Sequence, residues 1–378
     1  MKVKAARDDL TRLLDTAKLV VEARKSMPVL SHALLTAESY ELVLRSTDLQ
    51  VTYTGHCAAQ VDDPGEVCLP ARKLAELVKL MPAENVRLES GGHDTDLTAA
   101  QVRYTLRGRD PQDFPPPRLD TVAPIYLEDA AVLRRALGRV AYAAAEDSKP
   151  SNICGVHLEI VTDGEERVLR LVATDGHRLA LADLELSADE VPDLGTGLLL
   201  PTKSVSAMHR VLGEGNVSLG LSRDLVSLNT NGDLLQSLPL GHSFPDYSVV
   251  IPQAHKFRAM APRAALVEAL KRMEAIAQGK FPAVTLAFAS GILDLTGTDP
   301  DVGEAAEHLE VEWEGEAVAV DLNTRYLRDA CDRLEGPEVV LDFDGAAAPV
   351  KVHSDAEQDA GCMAVIMPMD IRAKGRGK

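Results

Sequence analysis

The sequence has few aromatic residues and few cysteines: aromatic side chains make up 4% of it, with one tryptophan and five cysteines. An odd number of irregularly spaced cysteines in apolar contexts favours buried thiols over disulfides or zinc ligands. The N-terminus lacks the apolar core of a signal peptide, and no run approaches the ~18 uncharged apolar residues of a membrane span. We therefore expect a soluble, cytoplasmic protein with reduced thiols. The five cysteines are Cys57, Cys68, Cys154, Cys331 and Cys362.

The sequence repeats itself three times, at a spacing of about 125 residues. Each copy has a leucine-patterned helix, a basic-residue/proline signal, a strand that ends in Thr-Asp, and a second helix. The same order in three copies indicates a pseudo-symmetric scaffold, which has to be established before any local motif is interpreted. The three Thr-Asp pairs are Thr47-Asp48, Thr174-Asp175 and Thr298-Asp299.

The pattern inside each copy predicts the fold class. Apolar residues at helical spacing alternate with short segments of period two, which are typical of antiparallel strands. Two helices and six to eight strands per copy favour an α+β fold, in which antiparallel sheets pack against a helix pair. Proline-rich or polar breaks predict three domains, at residues 1–122, 123–253 and 254–378.

The charge is unevenly distributed along the chain. The chain has 40 basic and 58 acidic residues, which gives a net charge of −18. Five of the six predicted helices are nevertheless net positive. Lys and Arg are good helix formers, so solvated side chains are one explanation. The acidic remainder favours another, in which the helices face a polyanion that the rest of the surface repels.

Motifs of common catalytic sites are missing. No P-loop, G-x-G-x-x-G, G-x-S-x-G or H-E-x-x-H occurs, so we predict no cofactor, no metal and no catalytic residue. Asp175 and His177 could form a base and its orienting group, which is a minor alternative. Because Thr-Asp occurs three times and Gly-His-Arg follows it once, we interpret Asp175 as a turn cap beside a single binding site.

Several motifs resemble those of one family. The segment V-A-T-D-G-H-R-L-A (172–180), preceded by D-S-K-P and G-V-H-L-E, is similar to the central-domain signature of the bacterial sliding clamp, the beta subunit of DNA polymerase III. L-P-A-R-K-L (69–74), F-P-D-Y (244–247) and V-I-M-P-M (365–369) extend the resemblance from end to end. Lys149 replaces the usual Arg before proline, and Asp370-Ile371 stands where Arg-Leu is common.

The resemblance implies a head-to-tail homodimer that closes a ring around duplex DNA, with helices inside and sheets outside. Helix cations would contact phosphates, which carry no sequence information. Arg24 and Arg72 match family positions near DNA. Other basic helix residues are weaker candidates, since any of them could lie in a domain interface: Lys25, Lys73, Arg134, Arg139, Lys203, Arg210 and Lys271.

The resemblance also implies a groove that binds short peptides of the polymerase, the clamp loader and repair proteins. Methionines suit an adaptable floor, and His177 and Arg178 would supply polar rim contacts. From the residues alone, Met367 and Met369 could equally be core residues of a last strand. The predicted groove residues are Ile153, Thr174, Gly176, His177, Arg178, Leu179, Pro245, Val250, Pro349, Val365, Ile366, Met367, Pro368 and Met369.

The dimer seam would join the first domain of one chain to the last domain of the other. The resemblance places Tyr104, Ala275 and Ile276 in an apolar contact there, flanked by paired edge strands. The main alternative is a repeat-built adaptor that binds peptides and never encircles DNA. Retention on circular DNA distinguishes the two.

Overall fold

The structure is a computed structural model. Within it, described residues are 1–22, 26–118, 120–145, 151–163, 166–186, 192–277, 282–299 and 301–369. Two of the predicted DNA contacts, Arg24 and Lys25, lie outside these ranges, as does the basic tail 370–378.

The order helix, strands, helix, strands recurs three times along the chain, as predicted. Its first copy contains β1 (Lys2–Ala6), α1 (Arg7–Val20), β2 (His32–Glu38), β3 (Glu41–Thr47), β4 (Val51–Asp63), β5 (Gly65–Pro70), α2 (Ala71–Lys79), β6 (Asn85–Gly91), β7 (Asp94–Ala99) and β8 (Val102–Arg107). The second contains β9 (Pro124–Leu127), α3 (Ala130–Val140), β10 (Gly155–Asp163), β11 (Glu166–Thr174), β12 (Arg178–Glu185), β13 (Leu198–Pro201), α4 (Thr202–Val211), β14 (Val217–Leu221), β15 (Val226–Thr230) and β16 (Asp233–Ser237). The third contains β17 (Phe257–Pro262), α5 (Arg263–Ile276), β18 (Ala283–Ala289), β19 (Ile292–Asp299), β20 (Gly303–Glu310), β21 (Glu312–Glu314), β22 (Val318–Asn323), α6 (Thr324–Asp332), β23 (Glu338–Phe343), β24 (Val350–His353) and β25 (Cys362–Ile366).

The chain forms two compact units whose limits differ from the three expected domains. Unit 1 comprises Met1–Arg134 and Ser187–Leu240, and unit 2 comprises Arg135–Leu186 and Gly241–Lys378. Elements of the middle copy therefore contribute to both units. The boundaries at 122 and 253 stay a prediction.

Unit 1 contains one sheet that joins strands of two copies. Its order is β8-β7-β6-β1-β4-β16-β15-β14-β9, and β2, β3 and β5 branch from it. The join is antiparallel, between β4 and β16, where Tyr53 lies opposite Leu235. β8 is an edge strand, and its side chains alternate between exposed and half-buried.

Unit 2 contains a second sheet joined in the same way. Its order includes β10-β11-β12-β25-β24-β23-β17-β21, and the join between copies is the antiparallel pair β12 and β25. A further sheet, β20-β19-β18-β22, belongs to the last copy, and β20 is one of its two edge strands.

Apolar periodicity explains why these helices bury one face. In α1, Leu10, Leu13 and Leu14 are at most 1% exposed, while Asp8 and Asp9 in its first turn complement the helix dipole. The equivalent leucines of the later copies, including Leu137 and Leu270, are buried too. The repeated leucine pattern therefore correctly predicted the packed faces.

The cysteines are free and buried, as predicted. Burial raises the pKa of the Cys57 thiol to about 11 and that of Cys68 to about 12. Such thiols stay protonated and behave as small apolar side chains. Among the described residues, no helix is both long and apolar enough to cross a bilayer.

Candidate functional site

The Thr-Asp pair of unit 2 shapes a tight turn between β11 and β12. The Thr174 hydroxyl donates to the Arg178 carbonyl at 2.6 Å. The Asp175 carboxylate accepts the backbone N–H of His177 at 2.9 Å and of Arg178 at 3.1 Å. Asp175 therefore caps the turn, which confirms the structural role predicted for it.

Gly176 leaves the top of this turn open. Its φ of +86° is a left-handed conformation that favours glycine, and a Cβ atom built there would meet no heavy atom within 4 Å. Gly176 and His177 are both exposed. A ligand can therefore approach the backbone closely at this point.

The last strand runs beside the same turn. β12 and β25 pair antiparallel, with Leu179 opposite Val365, and the Met367 backbone N–H donates to the His177 carbonyl at 2.9 Å. The Met367 side chain is 40% exposed, which excludes the alternative that it is a core residue. An adaptable apolar side chain thus lies next to the open turn.

An apolar cluster lies under this surface. Its buried members are Val172, Leu179, Leu181 and Val365. Four half-buried residues pack against them: Phe244, Tyr247, Ile251 and Met363. Together they form an apolar floor and wall of the kind that accepts apolar groups of a ligand.

The F-P-D-Y segment is fastened to the sheet by its aromatic rings. Phe244 stacks on His157 with ring centroids 4.8 Å apart, and the Tyr247 hydroxyl donates to Glu159. Hydrogen bonds from His157 and Tyr247 outweigh burial and hold the pKa of Glu159 below its ordinary value, so this carboxylate stays an acceptor. Burial and the Glu159 contact raise the pKa of Tyr247 to about 12. The phenol therefore stays protonated as the donor.

Two valines follow this fastened segment. Val249 and Val250 are 76% and 36% exposed. Pro245, which lies between Phe244 and Tyr247 in the sequence, is exposed as well. Sequence reasoning found Pro245 and Val250 but missed Phe244, Tyr247 and Leu181. The F-P-D-Y motif and the alternation along β12 were the available signals.

Most of the other predicted groove residues belong to the same part of unit 2. Ile366 and Leu179 are buried in the β12–β25 pairing, and Pro349 precedes Val350, which lies opposite Ile366 in β24. Beyond β25, Pro368 is half-buried and the Met369 backbone N–H donates to the Asp321 carbonyl at 2.7 Å. Ile153 is half-buried, and its carbonyl accepts the Ala145 N–H at 3.2 Å.

Arg178 differs from its predicted role as a polar rim contact. Its guanidinium lies 2.9 Å from Asp329 and donates to the Tyr142 carbonyl at 2.6 Å. It also stacks over the Tyr326 ring at 4.3 Å and lies 3.3 Å from Asp175. With its side chain 13% exposed, Arg178 ties the turn to α6 rather than facing a ligand.

Unit 1 contains a turn with the same hydrogen bonds. Asp48 accepts the N–H of Gln50 at 3.0 Å and of Val51 at 2.7 Å, and the Leu238 N–H donates to the Gln50 carbonyl at 2.9 Å. Leu49 takes the place of the glycine, at φ +78° and 41% exposed. Its side chain occupies the space that Gly176 leaves free, so the two turns share a frame but only one is open.

The predicted DNA contacts that fall within the described residues lie on the helices, most of them beside carboxylates. Arg72 and Arg134 are exposed, and Lys73 pairs with Glu76 at 2.6 Å. Lys203 pairs with Asp48 at 2.5 Å. Two further pairs are Arg210–Asp15 at 2.9 Å and Lys271–Glu268 at 2.8 Å. An exposed ion pair contributes little energy, so those of Lys73 and Lys271 do not fix these cations tightly.

Arg139 does not fit the prediction that it contacts DNA. Its side chain is 9% exposed and donates to Asp359 at 2.6 Å, the Gln358 carbonyl at 2.8 Å and the Cys362 sulfur at 2.8 Å. Removing a cation from such a buried network would leave an unpaired carboxylate, which indicates a structural role. Sequence reasoning could not identify this, because Asp359 is distant along the chain.

The predicted seam residues lie at surface positions. Tyr104 is half-buried on the edge strand β8. Ala275 and Ile276 end α5, where Ala275 is exposed and Ile276 half-buried.

The chain is similar along nearly its whole length to one family of known proteins. Three family models match consecutive parts of the chain: the N-terminal domain of the DNA polymerase III beta subunit at residues 1–120, its central domain at 129–246 and its C-terminal domain at 248–370. The beta sliding clamp of Caulobacter vibrioides is 31% identical over 98% of this chain and 100% of its own length. That of Streptomyces coelicolor is 28% identical over 98% and 100%.

Solved structures agree in fold. A sliding clamp from Bartonella birtlesii bound to griselimycin is 27% identical, with a TM-score of 0.87 over 98% of this chain and all of that one. The beta subunit from Thermotoga maritima is 25% identical, with a TM-score of 0.85 over 98% and 99%.

Proposed function

The chain belongs to the DNA polymerase III beta subunit family, and from this premise we propose that two copies close head to tail into a ring around duplex DNA. The ring tethers the replicative polymerase, so that the enzyme stays on its template. The observation that carries the tethering role is the open Gly176 turn beside the exposed Met367.

Contact with DNA is electrostatic and independent of sequence. Lysine and arginine side chains that neutralise phosphates release counterions, and such contacts do not distinguish bases. Because several of these cations already lie beside carboxylates of the chain, each contributes little, and the duplex can slide. Six described residues remain candidates: Arg72, Lys73, Arg134, Lys203, Arg210 and Lys271. Arg24 and Lys25 are also proposed from their family positions.

Partner peptides bind in the groove of unit 2. An apolar anchor inserts over the Val172, Leu179 and Val365 floor, between Val250 and Met367. The peptide backbone passes over Gly176, where no Cβ atom interferes. Methionine at the edge lets one groove accept the different side chains of the polymerase, the clamp loader and repair proteins.

The role is non-catalytic and is carried out in the cytoplasm, where replication takes place. One oxygen of the Asp175 carboxylate accepts backbone N–H groups of the turn and the other lies 3.3 Å from Arg178, which supports a structural role for Asp175 rather than that of a group orienting His177. Among the described residues, no group of acidic, histidine and cysteine side chains could hold a metal ion. Tethering requires neither a nucleophile nor a metal.

Retention on circular DNA tests the proposal against the adaptor alternative. The chain is loaded onto nicked circular DNA with a clamp loader and ATP, and high salt is added to remove electrostatic binding. A closed ring stays on the circle and is lost when a restriction enzyme linearises it. An adaptor without a ring is lost from both, and that outcome would reject the proposal.

A further inference from the structure

Three helix ends of unit 1 converge on one carboxylate. Asp15 of α1 accepts Lys18 at 2.7 Å and Lys79 at 2.7 Å on one oxygen, and Arg210 at 2.9 Å on the other. Each cation lies in the last turn of its helix, in α1, α2 and α4 respectively. Lys18 and Lys79 are not among the DNA contacts predicted from the sequence.

The carboxylate is enclosed, whereas its partners are accessible. Asp15 is 8% exposed. The side chains of Lys18, Lys79 and Arg210 are 40%, 45% and 49% exposed. A phosphate in solution can therefore reach the three cations but cannot displace the anion that they share.

The charges of this cluster nearly cancel. Burial raises the pKa of Asp15, but the hydrogen bonds from Lys18 and Lys79 outweigh it and hold the pKa below its ordinary value. The carboxylate therefore stays ionised at neutral pH, and three cations with one anion leave two positive charges. Each helix C-terminus adds a partial charge of about −0.5, which offsets most of the remainder.

We propose that Lys18, Lys79 and Arg210 form a phosphate-binding cluster for duplex DNA, and that Asp15 is its internal counter-anion, which keeps that binding weak. The inference rests on the proposed function, because it requires these helices to face the duplex. A ring that must slide is slowed by every tight ion pair with the backbone. The negative charge of Asp15 partly neutralises all three cations, and so weakens the electrostatic attraction between each cation and a phosphate.

The test is the salt dependence of DNA affinity for Asp15→Asn. Binding of a fluorescently labelled duplex is followed by anisotropy at several salt concentrations, with the full-length protein. The amide keeps the size of the carboxylate but not its charge, so the freed cations should bind phosphate. We expect severalfold tighter binding at low salt and a plot of log affinity against log salt that is steeper by roughly one unit.

Asp8→Asn is the matched control. Asp8 lies on the same helix, and its side chain is 88% exposed. Its carboxylate forms an ion pair with Arg7 at 3.1 Å, and neither residue belongs to the cluster. The substitution changes the net charge equally, so it measures the general electrostatic effect. Equal affinities and slopes for the two variants would overturn the proposal.

Lys79→Gln supplies a second, independent measurement. It should flatten the salt dependence, and more so in the Asp15→Asn background, where Lys79 no longer shares the carboxylate. A merely structural ion pair would change the melting temperature but not the slope. If Asp15→Asn does not fold, an unchanged slope for Lys79→Gln overturns the proposal by itself.

Retention of the wild type on nicked circles separates the two ideas. If the wild type is retained but the variants have unchanged slopes of log affinity against log salt, only the proposed role of Asp15 as a counter-anion is rejected. Failure of the wild type to be retained rejects the ring itself.

Discussion

A single glycine separates the open turn of unit 2 from the filled turn of unit 1. Gly176 and Leu49 have similar φ angles, +86° and +78°, and the same hydrogen bonds around them. The leucine pays a conformational cost of about 1 kcal/mol for this geometry, whereas glycine does not. The difference explains why the corresponding turn of unit 1 does not form a second open site.

We predict that Gly176→Leu closes the groove. The new side chain would occupy the space over the turn, as Leu49 does in unit 1. Affinity for a polymerase-derived peptide, measured by calorimetry, should fall at least about tenfold, or about 1.4 kcal/mol. The variant should also lose about 1 kcal/mol of stability through its left-handed backbone.

Gly232→Leu is a matched control in unit 1. Gly232 has the same φ of +86° and equally open surroundings, with no heavy atom within 4 Å of a built Cβ. It should lose similar stability yet bind the peptide normally. Equal loss of peptide affinity in both variants would show that the effect is general destabilisation.

Residue-level roles were the least predictable from sequence. The T-D-G-H-R motif identified the turn, because Asp and Gly have well-defined turn preferences. The motif did not reveal that Arg178 forms an ion pair with Asp329. The sequence likewise did not reveal that Arg139 is buried beside Asp359, since both partners are distant along the chain. Which carboxylate a cation meets depends on tertiary packing, and one sequence does not encode that in any local pattern.

At the scale of elements, strand β25 and the residues after it supply one side of the proposed groove. Met367 and Met369 continue beyond the strand by hydrogen bonds to His177 and Asp321. The elements themselves were predictable, because leucines at helical spacing mark buried helix faces and alternation marks strands. The β12–β25 pairing was not, since register between distant strands leaves no local signal.

We predict that deleting Met367 to the C-terminus abolishes peptide binding but not dimerisation. The deletion removes the exposed methionine and the wall that it forms beside His177, whereas β8, β20 and α5 are retained. Peptide affinity should become undetectable by calorimetry, and the mass by light scattering should stay that of a dimer.

Truncation after Met369 is the control for this deletion. It removes only the basic tail 370–378 and keeps both hydrogen bonds. Normal peptide affinity is expected. Peptide binding that survives the longer deletion would contradict the assignment of Met367 to the groove.

For the whole molecule, two edge strands of opposite charge suggest how copies recognise each other. β8 of unit 1 exposes Arg103 and Arg107, and β20 of unit 2 exposes Glu304 and Glu310. Pairing β8 of one protomer with β20 of its partner brings opposite charges together, whereas like strands would repel. Charge therefore favours a head-to-tail dimer over a head-to-head one, in agreement with the proposed ring.

We predict that Ile276→Asp yields monomers. Ile276 ends α5 and is half-buried, and the proposed seam would enclose its side chain against Tyr104 of the partner subunit. An enclosed carboxylate without a partner costs on the order of 3 kcal/mol at each of the two seams of the ring, so the dimer dissociation constant should rise roughly ten-thousandfold. Val249→Asp is the control, because it adds the same charge at an exposed apolar position beside the groove. Analytical ultracentrifugation at micromolar concentration, with circular dichroism to check folding, should show folded monomers for the first variant and dimers for the second. A folded Ile276→Asp variant that still sediments as a dimer would place the seam elsewhere.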